Sequence, residues 1–464
     1  MRRKALIWIL FGSLIWGPAS TGLAQKSALT IEDCIQLALK NNPQLRNAEH
    51  QMNLAATSVT SARANILPSL SSSVNTSRRF QAEQGPYLQE VPIRDPQTGQ
   101  VRLVQKEIYL DSYYRNTFSS GLNLMQNIFD GGRWWNQIKQ ANAKYQSAEH
   151  SYRAAREQTI ALVAQRYYEL LKAMELQKVY EQSVESAREQ LKRTQSMFEV
   201  GSVAQVDVYR ARVTLGQEQT NLIQQRNAVR LAENNLKLAM GINPGRKITV
   251  LPGELKLEPL NLSLDELYNL AVRRNPELKG LEETLRADRY GIKLAKASFW
   301  PNISFRASYS RFNTVWGRLY QPFDKNYQLS GSISLSWNLF NGFADAANVE
   351  RQSIGYYMDK ENLINRKLSL RSEIEQAYLS LQAYDEIERI NRDNLKAAEE
   401  DLRLSEERYK VGSGTLLDVI DARVGLTRAR ATLVSTKYDR LIALAQLYSK
   451  LGMLEEKIRE TLQK

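Results

Sequence analysis

The sequence predicts an α+β membrane protein in which long coiled-coil helices carry four barrel strands per chain, built by internal duplication. Three observations predict it. Nearly the whole chain repeats itself, two long stretches contain almost no helix breaker, and short segments of strict apolar–polar alternation lie between the helical stretches. The composition agrees: 43% hydrophobic and 24% charged residues, with few Gly and Pro in 464, suit amphipathic helices better than several packed globules.

At the N-terminus, Arg2, Arg3 and Lys4 precede an apolar run from Ala5 to Trp16, a Gly-Pro break and the small residues Gly22 and Ala24. This is the pattern of a secretory signal peptide, too short to span a bilayer, with cleavage expected after Ala24. Loss of its three cations lowers the formal charge from +13 to +10. The remaining Lys and Arg are mixed with Glu and Asp along helices, as on solvated faces, so no nucleic-acid partner is expected. Cys34 is the only cysteine and His50 and His150 the only histidines, which excludes a disulfide framework and argues against a metal site or a His-based catalytic site. Cys34 falls in the apolar pattern of the first helix and is expected to be buried.

The duplication is read from matched landmarks. "LALKNNPQLRNAE" from Leu37 matches "LAVRRNPELKGLE" from Leu270, and Pro43/Pro276 and Pro68/Pro301 share an offset of 233. Phe129/Phe340, Tyr167/Tyr378, Gly201/Gly412 and Gly241/Gly452 share an offset of 211, so the first repeat carries a loop 22 residues longer between Pro68 and Phe129. Each repeat reads helix, strand, loop, strand, long helix, turn, helix.

Asn42 and Asn275 stand as N-caps before the N1 prolines Pro43 and Pro276, and the helices they start run to Leu67 and Trp300, where Pro68 and Pro301 stop them. Arg133 to Val200 contains neither Gly nor Pro over 68 residues, enough for about 100 Å of helix. Val163, Leu170, Val184, Leu191 and Phe198 keep a seven-residue register broken at Gln177, as a coiled-coil seam does. The 38 residues Val203–Met240 and the 25 residues Pro43–Leu67, end to end, nearly match that helix, which predicts two short helices stacked beside one long one. The second repeat does the same over Phe343–Val411, with one interruption at Gly355.

Asn302–Arg311 alternates Ile303, Phe305, Ala307 and Tyr309 with polar residues, and Tyr327–Leu339 alternates Leu329, Ile333, Leu335 and Trp337 with Gln, Ser and Asn. Ser69–Phe80 and Tyr113–Ile128 alternate less cleanly. Apolar alternating with Ser and Asn fits a barrel that is apolar to lipid and polar to its lumen. Four strands cannot close a barrel, and lipid tolerates no open edge, so the chain must oligomerise; three copies supply about twelve strands. Trp300, Trp337 and Tyr327 fit an interfacial aromatic belt. Asp-Gly in "FDGG" from Phe129 and Asn-Gly in "LFNGF" from Leu339 are read as strand-to-helix junctions at the periplasmic edge.

The duplication, the Asn-Pro helix starts and the paired turns "VGSVAQVDV" and "VGSGTLLDV" together make the chain similar to the TolC-like outer-membrane efflux protein family, from about Leu29 to Gly452. The resemblance implies a homotrimer: a 12-stranded outer-membrane barrel continuous with a long α-helical tunnel in the periplasm. It implies the passive exit duct of a tripartite efflux pump, partnered by a periplasmic adaptor and an inner-membrane transporter, with outer-membrane lipid around the barrel. On this reading residues 1–24 are leader, 25–245 the first repeat, 246–261 an equatorial linker, 262–452 the second repeat and 453–464 a C-terminal tail.

The resemblance also implies roles at the tip. Val200, Gly201 and Ser202, with Val411, Gly412 and Ser413, match turns that dock the adaptor. Asp418 and Asp421, spaced i and i+3, match aspartates at a constricted periplasmic gate. Asp207 and Tyr409 match two of the three residues that link the closed gate; the third, an arginine in the family pattern, is Gly414 here, and Arg210 replaces the second aspartate in the first repeat.

No nucleophile, acid–base pair or phosphate loop is legible, so neither an enzyme nor a cofactor is expected; Gly-Ser-Gly at 412–414 lacks the strand-and-helix context of a phosphate loop. Two other readings stay open at this stage: the outlet of a type I protein secretion system, and a periplasmic coiled-coil scaffold without a pore. Drugs, metal ions and secreted proteins all share this architecture as cargo.

Overall fold

The computed structural model describes residues 28–255, 257–258, 260, 262–319 and 325–463; the expected leader lies outside the described residues. The first repeat runs α1 (Ile31–Asn41), α2 (Pro43–Ala64), β1 (Ser69–Gln81), β2 (Gln84–Arg94), β3 (Val101–Leu110), β4 (Tyr113–Phe129), α3 (Arg133–Glu199) and α4 (Gln205–Ala239). The second runs α5 (Leu264–Arg274), α6 (Pro276–Lys296), β5 (Asn302–Asn313), β6 (Tyr327–Ser336), α7 (Ala344–Lys410) and α8 (Leu416–Lys450), followed by α9 (Leu454–Gln463).

Two asparagines weld the short helices end to end. The Asn42 side chain accepts from Gln44 N at 2.9 Å and Leu45 N at 3.1 Å, capping α2, while its Nδ2 donates to Ala239 O at 2.9 Å, the end of α4. Asn275 caps α6 in the same way and donates to Lys450 O of α8 at 2.9 Å. One residue therefore satisfies orphan donors of one helix and an orphan acceptor of the next. The sequence-based stacking is observed: α2 and α4 lie along α3, and α6 and α8 along α7, with α3 also packed on α6 and α8. Helix α7 passes through Gly355 without a break, a correction to the expected interruption; its neighbours on both sides keep helical hydrogen bonding.

The core lies at mid-height, where the stacks meet. Val163, Tyr167, Leu170 and Leu171 of α3, Leu370 and Ile374 of α7, and Leu444, Leu447 and Tyr448 of α8 are buried there, with Ile31, Cys34 and Ile35 of α1. Each such aliphatic side chain contributes about 1.5–3 kcal/mol. The segment after α4 runs across this core: Leu29 N donates to Thr249 O at 2.8 Å, Leu255 N to the Tyr168 hydroxyl at 2.8 Å, and the Tyr448 hydroxyl to Glu258 O at 2.8 Å. Cys34 is fully buried, and burial first, then Asp33 and Glu32, pushes its thiol up to about 12, so it packs without reacting.

Three further corrections follow from local chemistry. The long first-repeat loop is a ribbon, β2 paired with β3, turned at Asp95, whose carboxylate accepts from Gln97 N at 2.9 Å. The expected tail at 453–464 holds α9, which buries Leu454 and Ile458 and is tied to α3 by Arg156 Nε to Glu455 Oε2 at 3.0 Å. Strand β6 ends at Ser336 rather than Leu339, and α2 and α6 end a turn early, at Ala64 and Lys296.

The main sheet is antiparallel throughout in the order β1-β4-β5-β6, and all its helices leave from one end. Its register sorts the side chains. On one face Leu329 stands level with Tyr309 and Leu122, and Ile333 with Phe305. On the other face Ser330 stands level with Ser308 and Asn123, their neighbours being Ser71, Ser73 and Asn75. The Ser308 and Ser330 hydroxyls meet at 2.7 Å on that polar face.

Candidate functional site

At the far end from the sheet, two helical hairpins turn side by side. Helix α3 gives way to Val200 and Gly201, whose φ of +78° is the left-handed cap that ends a helix. Ser202 N donates to Met197 O at 2.8 Å and Gly201 N to Phe198 O at 2.8 Å, closing the turn. Helix α7 ends likewise: Gly412 has φ +76°, and Ser413 N donates to Arg408 O at 2.9 Å. Val200 and Val411 are each 77% exposed, unusual for valine and equal in both repeats. The hairpins touch where the Tyr409 hydroxyl donates to Met197 Sδ at 3.9 Å.

The aspartates divide by role. Asp418 is the third residue of a capping box: Thr415 N donates to its Oδ2 at 2.8 Å, and its own N–H donates to Thr415 Oγ1 at 3.2 Å. Those hydrogen bonds, first from the Thr415 backbone, hold its carboxyl below the usual range. Asp421, one turn on, is exposed. Asp207 is half-buried, with Oδ1 3.5 Å from Arg210 Nη1, so the arginine that replaces the second aspartate turns back on the first. Burial raises the Tyr409 phenol pKa and the Asp207 charge raises it further, against Arg193. Tyr409 thus lies within range of the Asp207 charge on the neighbouring hairpin. Gly414 lies tight against the chain: an added Cβ would stand 3.1 Å from Arg408 Cβ and 3.2 Å from Tyr409 N.

Sequence reasoning missed Arg423. It reaches Ser186 O of α3 at 2.6 Å and Glu406 Oε1 of α7 at 2.8 Å, tying three helices together just above the turns. The signal was the Ala-Arg-Val triplet present in both repeats. Among the described residues, no group of three or more His, Cys, Asp or Glu is placed to hold a metal ion. No described helix is long and apolar enough to cross a membrane, which says nothing of the sheet.

A two-faced antiparallel sheet joined at one end to helices of 67 residues fits one class, the outer membrane channel proteins with helices in the periplasm. The outer membrane efflux protein family model matches residues 34–242 and 267–453, and the chain belongs to that family, which is made of channels rather than enzymes. The family resemblance read from the sequence is borne out. The probable efflux pump outer membrane protein TtgC of Pseudomonas putida is 25% identical over 430 residues, spanning 91% of this chain and 82% of TtgC. The outer membrane protein TolC of Escherichia coli is 25% identical over 469 residues, spanning 98% of this chain and 87% of TolC. The fold matches the CmeC outer membrane channel of Campylobacter jejuni at a TM-score of 0.77 and 20% identity, covering 93% of this chain and 88% of CmeC.

Proposed function

We propose that three copies close a twelve-stranded barrel on a common helical tunnel, forming the passive exit duct of a tripartite efflux pump for small molecules. One observation carries this reading: the sheet is two-faced and both its edges are open. Strands β1 and β6 lie at opposite edges and run antiparallel to their own neighbours, so β6 of one copy meets β1 of the next antiparallel, as closure requires. The name of TtgC supports efflux as the task. The adaptor docks on Val200-Gly201-Ser202 and Val411-Gly412-Ser413, where exposed valines sit on turns held by backbone bonds. Asp418 and Asp421 ring the entrance beside the gate pair Asp207 and Tyr409, and an inner-membrane transporter supplies the energy.

Closure is tested by paired cysteines scanned along the polar face of the two edge strands, at Ser71 and Ser73 of β1 and at Ser330 and Ser332 of β6. The chain's own Cys34 is buried and does not compete. One register of pairs is expected to form disulfides that link copies up to trimers on a denaturing gel. Monomers in every register would refute closure.

A further inference from the structure

The four strands of the main sheet contain five arginines (Arg78, Arg79, Arg115, Arg306 and Arg311) and neither Asp nor Glu. Register assigns three of them to the polar face. Arg79 is the direct partner of Arg115, and Arg306 stands level with Met125 and Ser332, in the same rows as the serines. The Tyr113 hydroxyl donating to Gln81 at 2.8 Å confirms that these positions share a face. Arg78 belongs to the opposite face, where its guanidinium lies 4.7 Å from the centre of the Tyr114 ring.

All three polar-face arginines are exposed, and among the described residues no carboxylate pairs with any of them. Like charges directly across a ladder destabilise it, so Arg79 opposite Arg115 is a cost that a mobile anion would relieve. Arg79 and Arg115 stand near the strand ends far from the helices, and Arg306 near the helix side, so cationic charge occupies both ends of the face. The acidic positions Asp418 and Asp421 lie at the other extremity of the molecule.

We infer that the barrel bore is an anion-favouring filter in which Arg79, Arg115 and Arg306 draw carboxylate- or phosphate-bearing solutes through the outer membrane in preference to cations. The inference rests on the exit-duct reading, which turns the polar face to the lumen. Three copies place nine guanidinium groups along the bore with no fixed anion in the strands, the arrangement by which rings of arginine select anions.

The test is the zero-current potential of the full-length protein in planar bilayers under a potassium chloride gradient. Three forms are compared: the natural sequence, R79S/R115S/R306S and R79K/R115K/R306K. The chloride-to-potassium permeability ratio is expected to fall about tenfold in the serine form, the low end of the enrichment a single-sign lining produces, and to persist in the lysine form. Each single serine variant, measured in case the triple fails to insert, is expected to lower the ratio about twofold. Conductance with a ratio unmoved by any serine variant would overturn the filter and leave the duct standing. Absence of conductance from every form would overturn the duct, and the filter with it.

Discussion

Leu329→Arg is expected to empty the outer membrane of assembled protein, whereas Ser330→Arg, one residue along, leaves it filled. Leu329 is 70% exposed on the isolated chain and stands level with Tyr309 and Leu122 on the apolar face. If that face meets lipid, an arginine there costs about 2–4 kcal/mol at the membrane midplane, a large fraction of the stability a membrane strand confers. Ser330 points the other way, toward Ser308 and a polar row, where an added guanidinium stays hydrated and loses one hydroxyl contact. The comparison is read by fractionating cells and quantifying folded protein in outer membranes. Equal tolerance of both substitutions would show that the apolar face does not contact lipid.

Gly241→Ala is expected to destabilise the helical stack by about 2–5 kcal/mol, while Gly201→Ala costs only about 1–2 kcal/mol. Both glycines are left-handed, with φ of +69° and +78°, so both lose the same conformational freedom. They differ in what surrounds them. A Cβ on Gly241 would stand 2.6 Å from Asn41 O and 2.8 Å from Asn42 Cα, at the weld between α4 and α2, where backbone has nowhere to move. A Cβ on Gly201 would meet nothing within 4 Å. Gly452 repeats the crowding of Gly241, 2.9 Å from Pro276 Cδ. Denaturant midpoints of the detergent-extracted protein separate the cases, and equal losses at 241 and 201 would mean that the weld contributes nothing.

Much of this was legible because long-range regularities carry it. The run without Gly or Pro sets α3 to within a residue; the heptad positions Val163, Leu170 and Val184 are buried as the seam requires, while Leu191 is half-buried and Phe198, next to the turn, is exposed. The β2–β3 ribbon was not legible. The 22-residue offset measures an insertion but not its form, and Pro86 and Pro92 interrupt the strand pattern. Helix α9 offers only Leu454, Ile458 and Leu462 over ten residues, too short a run to stand out. At the tip the turns follow from Gly201 and Gly412, and the capping box of Asp418 is written in Thr415-Leu-Leu-Asp418. The repeated Ala-Arg-Val triplet marks Arg423 in the sequence but not its clamp, because its partners Ser186 and Glu406 belong to two other helices.

The exit-duct account is tested most directly at Ser413, which is exposed on the second turn and held there through its backbone N–H to Arg408 O. A photo-crosslinking amino acid placed at that position in growing cells is expected to capture a periplasmic adaptor, and an adaptor encoded with a proton-driven transporter would fit small-molecule efflux. Capture of an adaptor belonging to an ATP-driven secretion system would move the cargo to polypeptides. Capture of no adaptor, from protein that is folded and in the outer membrane, would contradict the account of how this duct is joined to its pump.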